Sequence, residues 1–473
     1  MSGEFRGDFT RDSFELKKHY SRVMMQQGRV MLDSEFNELQ QILTHQLRML
    51  AKTLIGDHGG PGESFKIVKA GSEKYEFGIM PGSYYVDGIL CENDVGNQDN
   101  LKYSMQDGAE DLSQFLEDYN GNVLVYLDVW DRSISRIQDE SIAERALNGV
   151  ETATRSKVEW VVRVAKDTKK PDITCMDLYD DKGSPRYVLA ELIDSGKVKG
   201  RLKAQIKKVV EEQDPCRIYS NSKSRGLRNL LYRVEIHRSG IAYDSSQMAP
   251  DPKSLATFKW SRMNGSVDFA IENIKNLPQS TDDDQILTVV LKLEPFKDKD
   301  FRLEKGDWVE ILNDRSVLKR KTFPLWQVQE IDDKNVSLKR DNLANIDSDE
   351  FENKSLLLRR WDHRGESVGS KNAEFKLSEG AVLIEEGKDF NLENDIQITF
   401  WKEGVKYNSG DYWVIPARQA SAGIEWPNEE YLPPHGIWHH IAPLAIISIK
   451  GIILTPSCRR IIDLSQHIML STT

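Results

Sequence analysis

At 473 residues the chain exceeds what one hydrophobic core ordinarily supports, so about two to four domains are expected. Hydrophobic residues at 39% and charged residues at 29% place it among globular chains and outside the disordered class. A net charge of -11 and a pI near 5.5 argue against general nucleic-acid binding and against an anionic membrane, both of which favour a basic surface.

The N-terminus, MSGEFRGDFTRD, is polar and carries no apolar signal core, so synthesis in the cytoplasm without a signal peptide is expected. The densest stretch follows, HYSRVMMQQGRVMLDSEFNELQQ at 19–41. Leu32, Phe36, Leu39, Leu43, Leu47, Leu50 and Leu54 recur every third or fourth residue, which predicts an amphipathic helix over 32–54. Asp33 and Ser34 are candidate caps at its start, and Gly56 with GDHGGPG ends it. Twenty-odd residues at about 1.5 Å rise make a rod of about 30 Å. Such a rod either packs on its own domain or pairs with a neighbour.

Beyond that break the texture becomes strand-like. YEFGIMPGSYYVDGILC (75–91) reads as two short strands with turns at Pro81-Gly82 and Asp87-Gly88. NVLVYLDVWDR (122–132) is apolar on both faces, as a central strand is. ESIAERALNG (140–149) predicts a short helix with an Asn-Gly end, and KVEWVVRVA (157–165) a half-buried strand, followed by a polar linker over 166–186. KVKGRLKAQIKKVVEEQD (197–214) is rich in Lys and Arg but lacks interleaved aromatics, so a solvated face is expected there. LLYRVEIHRSG and ATFKWSRMNGSVDFAI add strands, and from 286 onward closely spaced short strands suggest a small barrel or sandwich. Gly306-Asp307-Trp308-Val309 and Gly410-Asp411-Tyr412-Trp413-Val414 echo each other as a turn entering a strand with an inward aromatic. The fold class is therefore α+β and mostly β, a long N-terminal amphipathic helix followed by several small sandwich or barrel modules. The expected division is 1–62 helical, 63–165 the first β-rich domain, 166–255 a linker and continuation of the β core with the basic segment, 256–425 a second β-rich domain, and 426–473 a Pro-rich close with C-terminal strands.

Residues with chemical potential are sparse. Cys91, Cys175, Cys216 and Cys458 form no CxxC pair, and their spacing fits reduced, isolated thiols. The apolar run IAPLAIISIKGIILT (441–455) is broken by Pro443, Lys450 and Gly451 and is too short to span a bilayer, so no membrane insertion is expected. His435 and His439 stand at i and i+4, but Gly436 and the preceding Pro433-Pro434 disfavour a zinc-binding helix. STDDDQ (280–285) lacks the alternating ligands of a calcium loop. In RRWDHRG the adjacent Asp362 and His363 would point to opposite faces of a strand, so Asp362 cannot orient His363 as a triad requires. No nucleophile elbow, P-loop or dinucleotide fingerprint occurs, so no catalytic, cofactor-binding or metal residue is assigned and no cofactor is expected. Trp401, Trp413, Trp426 and Trp438 cluster toward the end and offer material for a carbohydrate platform.

Several phrases taken in order carry a resemblance. FTRDSFELKKHYSRVMMQQGRVMLDSEFNE, GSYYVDGILCEN, VYLDVWDR, ALNGVETATRSKVEWVVRV, LLYRVEIHRSG, ATFKWSRMNGSV, LRRWDH, GDYWVIPAR and PPHGIWHHIAPLAII resemble a bacterial family of unknown function. That family occurs in gene clusters for phage-tail-like particles and contractile injection systems. Phe36 stands where its members more often have Trp, and the chain stops soon after RRIIDLSQHI where many continue, as expected of a core unit alone. The resemblance implies a structural subunit at a baseplate, shell, cap or adaptor position, assembling with other subunits or as a homo-oligomeric ring and leaving the cytoplasm within the particle. A glycan- or cargo-binding module is the alternative, with a cell-wall hydrolase behind it. The assembly surface expected on the first reading is Phe36, Leu39, Leu43 and Leu50, with Tyr20, Arg22 and Glu38 as polar fasteners at its edge.

Overall fold

The computed structural model describes residues 3–70, 75–94, 100–147, 149–207, 229–244, 251, 254–275, 286–292, 301–340, 350–351, 355–363, 366–367, 376–421, 423–427, 430–448, 452–454 and 457–462. The predicted class holds: the chain is mostly strand, with one long N-terminal helix and a closed barrel.

Strand Asn122–Ile134 is central, as its two apolar faces predict, lying between His440–Ser448 and Arg155–Lys166 in an antiparallel sheet completed by Ile452–Leu454. The two-residue side-chain period sorts its residues onto two cores. Val123, Val125, Leu127 and Val129 pack with Phe65, Ile79 and Tyr84, whereas Leu124 and Tyr126 pack with Leu178, Leu189 and Ile446. Strand Arg155–Lys166 is more enclosed than the half-buried reading, because Val161 and Arg163 on its second face are covered as well.

The short strands after 286 close into a six-stranded barrel with Asp268–Lys275, Ile286–Leu291, Asn335–Lys339, Trp326–Asp332, Trp308–Leu312 and Leu357–Trp361 in that order. Alternate residues fill it, among them Leu287, Val289, Val309, Ile311, Trp326 and Leu338. A seven-stranded sheet is built around Thr257–Ser261, Leu230–Arg238 and Tyr412–Arg418. Tyr232, Val234, Ile236, Phe258, Trp413 and Ile415 form its core. The two echoed GD turns behave alike: Gly306 and Gly410 have φ of 92° and 88°, and Trp308, Tyr412 and Trp413 that follow them are buried.

The N-terminal residues thread between these sheets. The Phe5 amide donates to the Tyr412 hydroxyl at 2.9 Å, and that hydroxyl donates to the Gly3 carbonyl at 2.8 Å. Asn264 Nδ2 donates to the carbonyls of Phe5 and Gly7, while Glu4 accepts from the Ser133 amide at 3.1 Å in the other sheet.

Some expectations are overturned. Cys175 and Cys458 form a disulfide across 283 residues, so they are not isolated thiols. Sequence spacing does not reveal a pair brought together by the return of the chain beside Leu444. Cys91 is free and buried, and Cys216 lies outside the described residues. The stretch 140–149 is two single 3-10 turns, Glu140–Ile142 and Arg145–Leu147. The 166–186 stretch is packed, with Ile173 and Leu178 buried and the Asp167 carboxylate accepting from the amides of Lys169, Lys170 and Val188. Within the basic segment, Leu202–Ile206 is a strand paired with Ile396–Phe400, its Leu202 and Ala204 buried, rather than a solvated face. The rest of that segment, from 208, lies outside the described residues. Opening so long a covalent loop by Cys458→Ser is expected to lower stability by about 2–4 kcal/mol. Urea unfolding with and without reductant checks this, and coincident midpoints for the oxidised and reduced protein would contradict it.

Candidate assembly surface

The helix Asp33–Ile55 runs as its periodicity predicts and ends at Gly56, whose φ is 94°. Leu32 occupies the N-cap position, where the Glu35 carboxylate accepts from its amide at 3.2 Å. Asp33 is the first helical residue, and its carboxylate accepts from the amide and hydroxyl of Thr10.

Which face the helix turns inward was not predicted. Ser34, Glu38, Gln41, His45, Arg48 and Lys52, spaced four and three apart, are the side turned toward the body, all buried or half-buried. Ser13 donates to Glu38 at 2.7 Å, Gln41 donates to Asp12 at 3.2 Å, and Phe14 lies 6.0 Å from the His45 ring. Farther along, Arg48 makes a two-pronged pair with Asp131 at 2.7 and 2.8 Å, and Lys52 donates to Asp87 at 2.6 Å. The Asp87-Gly88 turn (φ 50° and 80°) comes so close that a Cβ on Gly88 would lie 2.0 Å from the Arg48 carbonyl oxygen, so only glycine fits there.

The apolar stripe consequently faces outward. Leu32, Phe36, Leu43, Leu47, Leu50 and Leu54 are exposed, Leu54 at 76%, and the helix buries only Ser34 and Ile42 outright. The segment leading into it is as open: Met24 is 74% and Val30 83% exposed, with Tyr20, Met25 and Met31 beside them in sequence. Exposed apolar side chains in such number make this face a candidate interaction surface. Of the residues expected at an assembly surface, Tyr20, Arg22, Phe36, Leu43 and Leu50 are exposed, Leu39 is half-buried, and Glu38 is engaged within the chain by Ser13.

The histidines and carboxylates singled out by sequence are dispersed. His439 bonds to Asp128 and His440 to Asp87, while the half-buried His435 stacks on Tyr412. His363 Nε2 donates to the Gly380 carbonyl at 2.7 Å, whereas Asp362 accepts from the Arg262 amide, so the carboxylate does not orient the ring through a hydrogen bond. Residues 280–285 and Arg364 lie outside the described residues. Trp413 is fully buried, Trp426 is half-buried, and Trp401 and Trp438 are exposed. Trp401 meets Tyr431 at 4.5 Å with the rings tilted by 59°, which does not make a flat stacking platform. Among the described residues no helix is long and apolar enough to cross a membrane.

Sequence reasoning missed the neighbour of the helix. A groove of about 1350 Å³ opens between its last three turns and the hairpin Gly82–Asn93, with Leu50, Leu54, Leu90, Met105 and Trp160 among its walls. Its residues come from widely separated parts of the chain, from Thr44 to Ile462, so no local pattern announces it.

The model of the Family of unknown function (DUF6519) matches residues 5–181 and 186–472, nearly the full chain. No curated protein and no solved structure matches it.

Proposed function

We propose, from the premise that the chain belongs to the Family of unknown function (DUF6519), that it is a structural subunit of a contractile injection system or phage-tail-like particle. It would act by protein-protein assembly at a baseplate, shell, cap or adaptor position. The observation that carries this reading is the inverted helix: a polar stripe tied to the body by ion pairs, and a leucine stripe presented to solvent. Burying each such leucine fully in an interface contributes at most about 1.5–3 kcal/mol, of which the isolated chain, leaving Leu43 45% and Leu54 76% exposed, realises only part. The sequence resemblance supplies the class of particle. The disulfide supports residence beyond the reducing cytoplasm once assembly is complete.

Leu43→Asp separates an interface role from a core role. Because Leu43 is exposed, the variant is expected to melt within about 0.5 kcal/mol of the parent and to be missing from purified particles. Circular dichroism and mass spectrometry of the particles read the two quantities. A variant that unfolds assigns the stripe to the protein's own core, and one that folds and is still incorporated removes this surface from assembly.

A further inference from the structure

Two features left open in the single chain fit each other in size and charge. Residues 15–33 leave the body after Phe14 and return at Asp33, and the bonds of Thr10, Asp12 and Ser13 to Asp33, Gln41 and Glu38 pin both ends to the first turns of the helix. Between Glu15 and Asp33 only Val23 is even half-buried. Gly28 (φ 69°) and the bond from the Arg29 amide to the Gln26 carbonyl reverse the chain near its middle. The result is a two-limbed arm reaching at most about 30 Å. From 16 to 32 it holds Lys17, Lys18, Arg22 and Arg29 and no carboxylate, in a chain whose net charge is -11.

The groove is its complement. At about 1350 Å³ it exceeds the space a small-molecule site ordinarily offers, about 300–1,000 Å³, and suits a stretch of polypeptide. Leu50, Leu54, Leu90 and Met105 present apolar surface along it. Its two cations are already engaged, Arg48 with Asp131 and Lys157 with Glu159, while Glu92, Asp94 and Asp107 pair with no cation among the described residues. An acidic, apolar groove and a basic, apolar arm are matched in the sense that steers association.

We infer that the arm of one copy seats in the groove of the next. Met24, Met25, Val30 and Met31 cover Leu50, Leu54, Leu90 and Met105, and Arg22 and Arg29 face Glu92, Asp94 and Asp107. The arm is pinned at the helix N-terminus, about 20 Å along the axis from the turns that line the groove, and its exposure shows that it does not fill the groove of its own chain. Donor and acceptor patches differ, so two copies exchange arms reciprocally about a two-fold axis, or successive copies pass the arm head-to-tail and close into a ring when the rotation permits. The inference deepens the subunit reading and rests on it.

A photoreactive p-benzoylphenylalanine at position 24 of the full chain, in a mixture of light and heavy isotope-labelled copies, tests the seat. Light-heavy adducts on residues 47–54, 90–94 or 105–108 are expected. Glu92→Lys is expected to cut their yield about tenfold, and Arg29→Glu in the arm-donating copy to restore it, because only paired groups show such reciprocal rescue. Adducts confined elsewhere on a second copy, or a charge swap without rescue, would overturn the arm-groove contact and leave the subunit reading intact. A chain that stays monomeric at high concentration yet is found in purified particles would overturn it too, by giving the arm to a different subunit. Monomers that bind anionic vesicles through the arm would overturn it in favour of a lipid surface, and a monomer absent from particles would overturn both readings.

Discussion

Arg6→Ala is expected to cost about 3–5 kcal/mol, because it leaves buried carboxylates short of a counter-charge. Arg6, Arg233 and Lys259 face Glu4, Glu235 and Glu310 in one cluster, three charges against three, all buried or nearly so. Arg6 Nη2 meets Glu235 at 2.6 Å and Arg6 Nε meets Glu4 at 2.6 Å. Burial opposes the charge on Arg6, but Glu235 and Glu4 outweigh it and raise the guanidinium's pKa above its ordinary value. Burial likewise disfavours a charged Glu235, yet Arg6, Arg233 and Lys259 hold its carboxyl well below the usual range. Removing Arg6 breaks the balance and also frees the N-terminal strap that joins the seven-stranded sheet, through Glu235, to the four-stranded sheet, through Glu4 and Ser133. Urea unfolding of Arg6→Ala beside Arg6→Met, which keeps the bulk and loses the charge, reads the effect. Losses below about 1 kcal/mol in both would show that the cluster relaxes without its arginine.

Stability is expected to fall by several kcal/mol between pH 7 and pH 5, above the range in which carboxylates ordinarily titrate, with Asp411, whose carboxyl burial pushes well above that range, opposing the fall. Burial pulls His58, His363 and His435 each down to about 4, and His237 well below its ordinary value, from about 6.5 in an unfolded chain. Between those limits the unfolded chain binds protons that the folded chain refuses, so their contribution is complete above about pH 6.5 and is lost as the pH falls toward 4. Asp87, burial notwithstanding, is held near 2 by His440 and Lys52. Its contribution therefore fades only below about pH 4. Denaturant titrations at pH 7.5, 6 and 5 check this, and His58→Gln is expected to flatten the slope. Equal stabilities at the three pH values would contradict the buried neutral state of these rings.

The helix, the strands and the barrel were legible because their signals are local. A leucine every third or fourth residue writes a helix, alternating valines write a strand, and Gly56 or Asp87-Gly88 ends or turns an element whatever surrounds it. Cys175 and Cys458 gave no such signal, since their pairing depends on where the last strand lies. Nor did the single 3-10 turns Glu140–Ile142 and Arg145–Leu147, where a weak helical propensity, with no buried face to reinforce it, does not extend past one turn.

The orientation of the helix belongs to the second kind. Periodicity located an apolar stripe at Phe36, Leu43, Leu47, Leu50 and Leu54 but left open whether it faced a core or a neighbour. Asp131 on the central strand and Asp87 on the hairpin turn decided that, by drawing Arg48 and Lys52 inward and rotating the leucines out. The sequence by itself determined an amphipathic rod, a β-rich body and its family. Only the tertiary structure decided which side of the rod meets water, because that choice depends on charges distant along the chain and adjacent only after folding.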